Sequence, residues 1–380
     1  MRSTAKLASF LHVVWIISVP LIDGFKLLSR QSVLFLGALL IWPAAAFSTD
    51  APSTESRSNE RPFFVVPLLT SNPKMSTSVG GVAGYLHQFD SESTPSMFSL
   101  SGTYSDTDSA LVALFAQMFF DRGKQQLNVA LVNGRVNNDY DDFLGSGLPA
   151  QTTDKVHTVG GRYSYRLGSD WFLGIQAMAS NYVIEAEGAV EQALETIGLT
   201  GVDSVGLGLA AELDSRDHNR NPKSGKHLII GNYAYREDFG GSDDYDVYRA
   251  NFASYHSLAE RYVLAWQLSG RWTEQAPISG YSSIALRGYV RGMQLAPNST
   301  HFAIDNRIRL KGRFGLTIYG GVACLYDEMD DCSDSSNVYP SFGGGASFMV
   351  REQAGVVLRA EYIVGKEGSD GFYVTLNNPF

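Results

Sequence analysis

The sequence predicts an all-β fold, a sixteen-stranded antiparallel transmembrane β-barrel spanning residues 62–380. Three observations predict it. Extended segments alternate with period two, and one face carries charge while the other carries aromatic and aliphatic side chains. Tight turns alternate with long links along the chain. Of the 380 residues, 38 are Gly and 12% are aromatic, yet only 18% are charged. That composition suits many strands joined by tight turns. A mean hydropathy of -0.08 argues against a bundle of membrane helices. It is compatible with a barrel, whose lipid and lumen faces average out.

The chain opens with an export signal, assigned to residues 1–46. Lys26 and Arg30 precede an apolar core, Val33–Trp42, too short to span a bilayer. Ala44–Ala46 offers small residues for cleavage. A membrane anchor is the alternative reading, and the earlier apolar run Leu11–Ile22 has no assigned role. Residues 47–61 are polar and read as a disordered leader. Removing residues 1–46 takes away four basic residues and Asp23, leaving 26 basic against 38 acidic and a net charge of −12. Such acidity excludes nucleic acid as an expected partner.

The strands are placed at 62–70, 77–89, 97–106, 109–120, 124–136, 156–167, 170–183, 201–214, 226–237, 245–257, 259–273, 300–311, 313–326, 338–350, 353–364 and 371–380. In the eighth, Val205, Leu207 and Leu209 oppose Gly206, Gly208 and Glu212. In the eleventh, Tyr262, Leu264, Trp266 and Leu268 oppose Val263, Gln267, Ser269 and Arg271. In the twelfth, Phe302, Ile304 and Ile308 oppose His301, Asp305, Arg307 and Arg309. A dry core cannot hold Asp305, Arg307 and Arg309 without full pairing, whereas a polar lumen can. The opposite faces suit hydrocarbon and its aromatic belts.

Ser257–Glu260, Leu310–Arg313 and Arg351–Gln353 are tight connections. The links 137–155, 184–200, 274–299 and 327–337 are long. The even strand count puts both termini on the short-turn, periplasmic side of an outer membrane. Glu185–Gly198 has helical spacing and is expected to form a short helix in an outer loop. Asp214–Lys226 is long and polar although it falls on the short-turn side. It is read as a salt-bridged rim, with Pro222 and Gly225 setting the path into the ninth strand; a solvated turn is the alternative.

Cys324 and Cys332 flank an acidic stretch, and an oxidising compartment favours a disulfide over two free thiols. The tract Asp327, Glu328, Asp330, Asp331 and Asp334 lacks EF-hand spacing and is read as a solvated acidic loop, so no metal is expected. The seven histidines show no H-x-x-x-H spacing, and neither a nucleophile elbow nor a P-loop is present. No enzymatic activity and no cofactor are expected. Phe372, Val374, Leu376 and Phe380 alternate toward lipid at the end of the last strand. Pro379 has no N–H to donate, which weakens the pairing of the last strand with the first.

Three segments in order carry a resemblance: GLGLAAELDSRDHNRNPKSGKHL (206–228), LRGY (286–289) and LRAEYIVGKEGSDGFYVTLNNPF (358–380). Together they resemble the bacterial surface antigen family of BamA/TamA-type outer-membrane assembly factors. The resemblance implies that Asp214, Arg216, Asp217, Asn221, Pro222 and Gly225 form a periplasmic turn motif. It implies that the sixth outer loop folds into the lumen, with Leu286, Arg287, Gly288 and Tyr289 as its motif. Arg287 would then pair with an inward carboxylate, for which strand phase offers Asp305 and Glu361. Arg291 could instead face solvent. The terminal aromatic resembles the signal read by the barrel-assembly machinery during biogenesis.

The implied function is help with insertion or translocation of polypeptide or lipid at the outer membrane, with outer-membrane lipid, a client and a periplasmic helper as partners. A passive or plugged pore, or a surface antigen binding external partners, is the alternative. Two departures matter. Only 15 residues separate the cleavage site from the first strand, which leaves no room for POTRA domains. The thirteenth strand has Gly320 and Gly321 where relatives often carry an inward acid.

Overall fold

A computed structural model describes residues 62–72, 76–140, 150–196, 201–352, 354–366 and 368–377. The export signal, the polar leader, Pro379 and Phe380 lie outside the described residues. Sixteen strands close into one antiparallel barrel. They are β1 (Phe63–Asn72), β2 (Ser76–His87), β3 (Ser96–Ser105), β4 (Ala110–Phe120), β5 (Gln125–Tyr140), β6 (Ala150–Arg166), β7 (Trp171–Ala186) and β8 (Val202–Asp214). The ring continues through β9 (Gly225–Tyr235), β10 (Tyr245–Ala259), β11 (Tyr262–Glu274), β12 (Asn298–Arg309), β13 (Phe314–Tyr326), β14 (Val338–Arg351), β15 (Val356–Gly365) and β16 (Asp370–Leu376). Each strand pairs with its neighbours in sequence, and β1 meets β16 to close the ring.

The alternation of the sequence becomes an outer and an inner face. Leu207, Leu209, Ile175, Ile318, Phe342 and Tyr362 are exposed on the outside. On the same strands Ala210, Glu212, Thr317, Tyr319, Glu361 and Ile363 are buried on the inside. Period two makes this separation automatic, because successive side chains leave opposite sides of the sheet. No helix among the described residues is long and apolar enough to cross a membrane, which says nothing about strands.

Several boundaries differ from the sequence-based ones. β5 runs to Tyr140 and β6 begins at Ala150, so the predicted link 137–155 is mostly strand. Asn137–Tyr140 and Ala150–Thr153 extend the ladder despite poor strand propensity. Backbone pairing with a formed neighbour outweighs intrinsic preference there. The β14–β15 turn falls at 352–355, later than Arg351–Gln353, because a bulge near Met349 and Arg351 consumes a residue of β14. Among the described residues the connection between β7 and β8 carries a helix, α1 (Ala189–Thr196).

The seam differs from the rest of the wall. β1 pairs with β2 along its whole length, from Phe63↔Tyr85 to Asn72↔Ser76. β15 and β16 pair from Val364↔Asp370 to Leu358↔Leu376. Between β1 and β16 a single register pair is formed among the described residues, Ser71↔Phe372. β16 ends early because Asn377 turns into the left-handed region at φ 69. Its N–H then donates back to Val357 O on β15 at 2.6 Å, away from β1.

Candidate functional site

The connection between β11 and β12 passes over the inner faces of β12, β13, β15 and β16. Ile284, Leu286 and Tyr289 from this loop are buried with Ala303, Tyr319, Ile363 and Tyr373 from the strands. The loop is braced at its base by Arg271 on β11. Arg271 donates from Nη2 to Gly280 O at 2.7 Å and from Nη1 to Ser282 Oγ at 2.9 Å. A two-residue ladder, Ser282–Ser283 with Leu295–Ala296, closes the loop on itself.

Arg287 is the polar centre of the loop. Its Nη1 donates to Glu361 Oε2 at 2.6 Å, and its guanidinium lies 3.7 Å from the centre of the Tyr319 ring. Both partners of the ion pair are buried. Gly288 sits at φ 95, and its N–H donates to Tyr373 Oη at 2.6 Å. A side chain there would place Cβ 3.2 Å from Ile363 Cγ2. Strain and crowding act together, so Gly288→Ala is expected to lower stability by about 1–3 kcal/mol. Urea unfolding in lipid vesicles would read this. Tyr289 Oη reaches Pro340 O and accepts from Lys366 N at 2.7 Å, fixing the loop to β14 and to the β15–β16 connection.

The two candidate carboxylates behave differently. Glu361 takes Arg287 on Oε2, while its Oε1 accepts Thr317 Oγ1 at 2.7 Å and Arg359 Nη2 at 2.5 Å. Asp305 is held by Arg359 through both oxygens, at 2.6 and 2.9 Å, and by Arg307 Nε at 3.3 Å. The result is a ladder of alternating charge, Arg307–Asp305–Arg359–Glu361–Arg287. Its central three members are 0% exposed. Sequence reasoning missed Arg359, although it shares the inner phase of Glu361 two residues away. Bidentate guanidinium pairing explains why arginine fits there.

Arg291 is half-buried and does not project into solvent. Gly320 lies on the outer face opposite Ile304, while Gly321 is on the inner face, where Leu286 of the loop fills the space above it. Phe372, Val374 and Leu376 alternate with buried Tyr373 and Thr375 on β16. Cys324 and Cys332 form a disulfide beside the β13–β14 loop. Within that loop Asp331 Oδ2 accepts Asp327 N and Glu328 N at 3.0 and 3.1 Å, and Asp334 Oδ1 accepts Ser336 N at 2.9 Å. These carboxylates are occupied in shaping the loop.

The Asp214–Lys226 segment is neither a solvated turn nor a rim alone. Arg216 holds Asp214 with two bonds of 2.7 Å, and Asp217 Oδ1 accepts Lys223 N and Ser224 N at 2.8 and 3.1 Å. Asn221 N donates to His218 Nδ1 at 3.3 Å, and Pro222 O accepts Arg307 Nη1 at 3.1 Å. Gly225, at φ 101, starts β9. Burial pulls the Arg220 guanidinium down to about 10, which leaves it charged at neutral pH.

Among the described residues one group, Glu212, Asp214 and His227, brings three potential metal ligands together. Glu212 already bonds His227 at 2.8 Å and faces Arg162 at 3.3 Å, and Asp214 is taken by Arg216. Two guanidiniums against the carboxylates disfavour a cation, so the group reads as an ion-pair network.

Comparisons with protein-family models and with curated proteins find no match. Solved structures do match. BamA from Haemophilus ducreyi lacking POTRA domains 1–3 aligns with TM-score 0.52 and 13% identity over 84% of this chain and 70% of that one. CdiB from Acinetobacter baumannii aligns with TM-score 0.53 and 12% identity over 83% of this chain. CdiB from Escherichia coli aligns with TM-score 0.53 and 10% identity over 87% of this chain. The likeness is one of fold. The chain spans 60% and 63% of the two CdiB chains. The shared feature is the sixteen-stranded antiparallel barrel, not a residue-level signature.

Proposed function

We propose that this protein is an integral outer-membrane barrel, with both termini periplasmic, that assists insertion or translocation of polypeptide or lipid. Residues 1–46 are its export signal and residues 62–380 its barrel. The observation that carries the reading is the seam. Every other pair of adjacent strands shares at least seven register pairs, whereas β1 and β16 are joined at Ser71↔Phe372 alone among the described residues. Backbone groups left unpaired along a seam in hydrocarbon are costly, so this is where the wall yields most easily. The fold shared with BamA and CdiB supports the reading. Outer-membrane lipid is the surrounding partner, and the assembly machinery is the expected partner during biogenesis. A client and a periplasmic helper are the partners still to be found.

In this reading Arg287 and its neighbours hold the sixth outer loop inside the lumen, so the barrel rests closed. The same tether favours a second reading, a plugged pore. A cysteine pair at Ser71 and Phe372 separates the two. Oxidation should lock the seam and abolish assembly or transport in cells, with recovery on reduction. Full cellular function with the cross-link formed would remove the seam mechanism and leave the pore.

A further inference from the structure

The β8–β9 turn does not stay beneath its own strands. Arg220, 4% exposed, donates from Nη2 to Pro95 O at 2.6 Å and from Nη1 to Ala354 O at 3.4 Å. Pro95 ends the β2–β3 connection, and Ala354 belongs to the β14–β15 turn. These two connections flank the β1–β16 seam on opposite sides. The His218 ring lies against Gly355, where an added Cβ would meet Cε1 at 2.3 Å and where φ is 63. His218 Nδ1 also accepts the N–H of Arg220 at 3.1 Å, so the ring sets the path of the arginine.

The seam needs such help at this end. Its register pair, Ser71↔Phe372, lies toward the outer end of β1, and β16 stops at Leu376. Toward the periplasm the flanks meet through side chains. Phe64 and Val66 of β1 are buried with Ala354 and Val356. Arg351 Nη2 donates to Phe63 O at 3.1 Å. Arg220 adds charge-assisted bonds to backbone carbonyls of both flanks, the stronger class of hydrogen bond.

We propose that the β8–β9 turn is a clasp: reaching over from β8 and β9, it holds the two flanks of the seam together through Arg220, and it releases before the seam parts at its periplasmic end. The role in opening rests on the seam reading above, while the clasp itself rests on the contacts.

Hydrogen exchange read by mass spectrometry, on the full chain in phosphatidylcholine vesicles, tests it. Arg220→Ala should speed exchange of the backbone amides of Phe63–Leu69 and Val356–Leu376 by about tenfold or more, since local opening there loses a charged restraint. His218→Ala should act at the same segments more weakly. Lys311→Ala, in the exposed β12–β13 turn, should leave them unchanged, and β10–β11 should stay protected in all three. Unchanged exchange at both flanks in Arg220→Ala overturns the clasp. So does an equal acceleration of every strand, which would mark general destabilisation. If Arg220→Ala does not fold, His218→Ala decides by the same criterion. The readout involves no transport, so its failure is distinct from failure of the Ser71–Phe372 cross-link.

Discussion

Arg359→Ala is expected to lower the unfolding free energy by about 3–5 kcal/mol, because it strands two buried carboxylates at once. Arg359 is bonded to both Asp305 and Glu361. Without it the acids keep Arg307 and Arg287 at the ends, but they face each other with no cation between. Urea unfolding in vesicles, followed by the fluorescence of Trp171, Trp266 and Trp272 in the barrel, reads the change. A useful contrast is Arg309→Ala. Arg309 and Glu260 stand 4.0 Å apart with side chains 48% and 89% exposed. That change should stay within about 0.5 kcal/mol. Equal, small effects of both substitutions would mean that water reaches the ladder freely, and the account of a desolvated network would be lost.

Arg287→Ala should act more on conduction than on stability. After its loss the ladder keeps two cations and two anions, and Glu361 keeps Arg359 and Thr317. The expected cost is about 2–3 kcal/mol, less than for Arg359. The loop, however, loses the Arg287–Glu361 ion pair to the wall and the stacking on Tyr319. In planar bilayers the wild type is expected to be closed for most of the record, and Arg287→Ala to show frequent, long openings. A wide, steady, ohmic wild-type channel would refute the closed resting state. Indistinguishable records for the two proteins would show that Arg287 does not hold the plug.

The fold was legible in the sequence because period-two alternation is a local signal. Phe302 against Asp305, and Leu209 against Glu212, already separate an outer from an inner face. The number of strands followed from the turns. The partner of Arg287 was narrowed by phase to Asp305 or Glu361, and no further. Which acid it takes depends on where the loop lies relative to β12 and β15, and Arg359 decides it by occupying both oxygens of Asp305. The reach of Arg220 to Pro95 and Ala354 was invisible for the same reason. It joins residues more than 120 positions apart in sequence. No pattern in one chain encodes such a tertiary contact. Strand ends failed at β5 and β6, where Asn, Asp and Thr continue the ladder against their own propensity.

The wall is not of one height. Among the described residues β6 has 17 residues and β7 has 16, whereas β16 has 7. At about 3.3 Å per residue and a tilt of about 45°, the tall side rises about 40 Å and the short side about 16 Å. A bilayer core of about 30 Å matches neither. In the outer membrane proposed above, lipids beside β16 would compress or splay, while those beside β6 would meet a surplus of protein, a gradient of hydrophobic mismatch around the circumference.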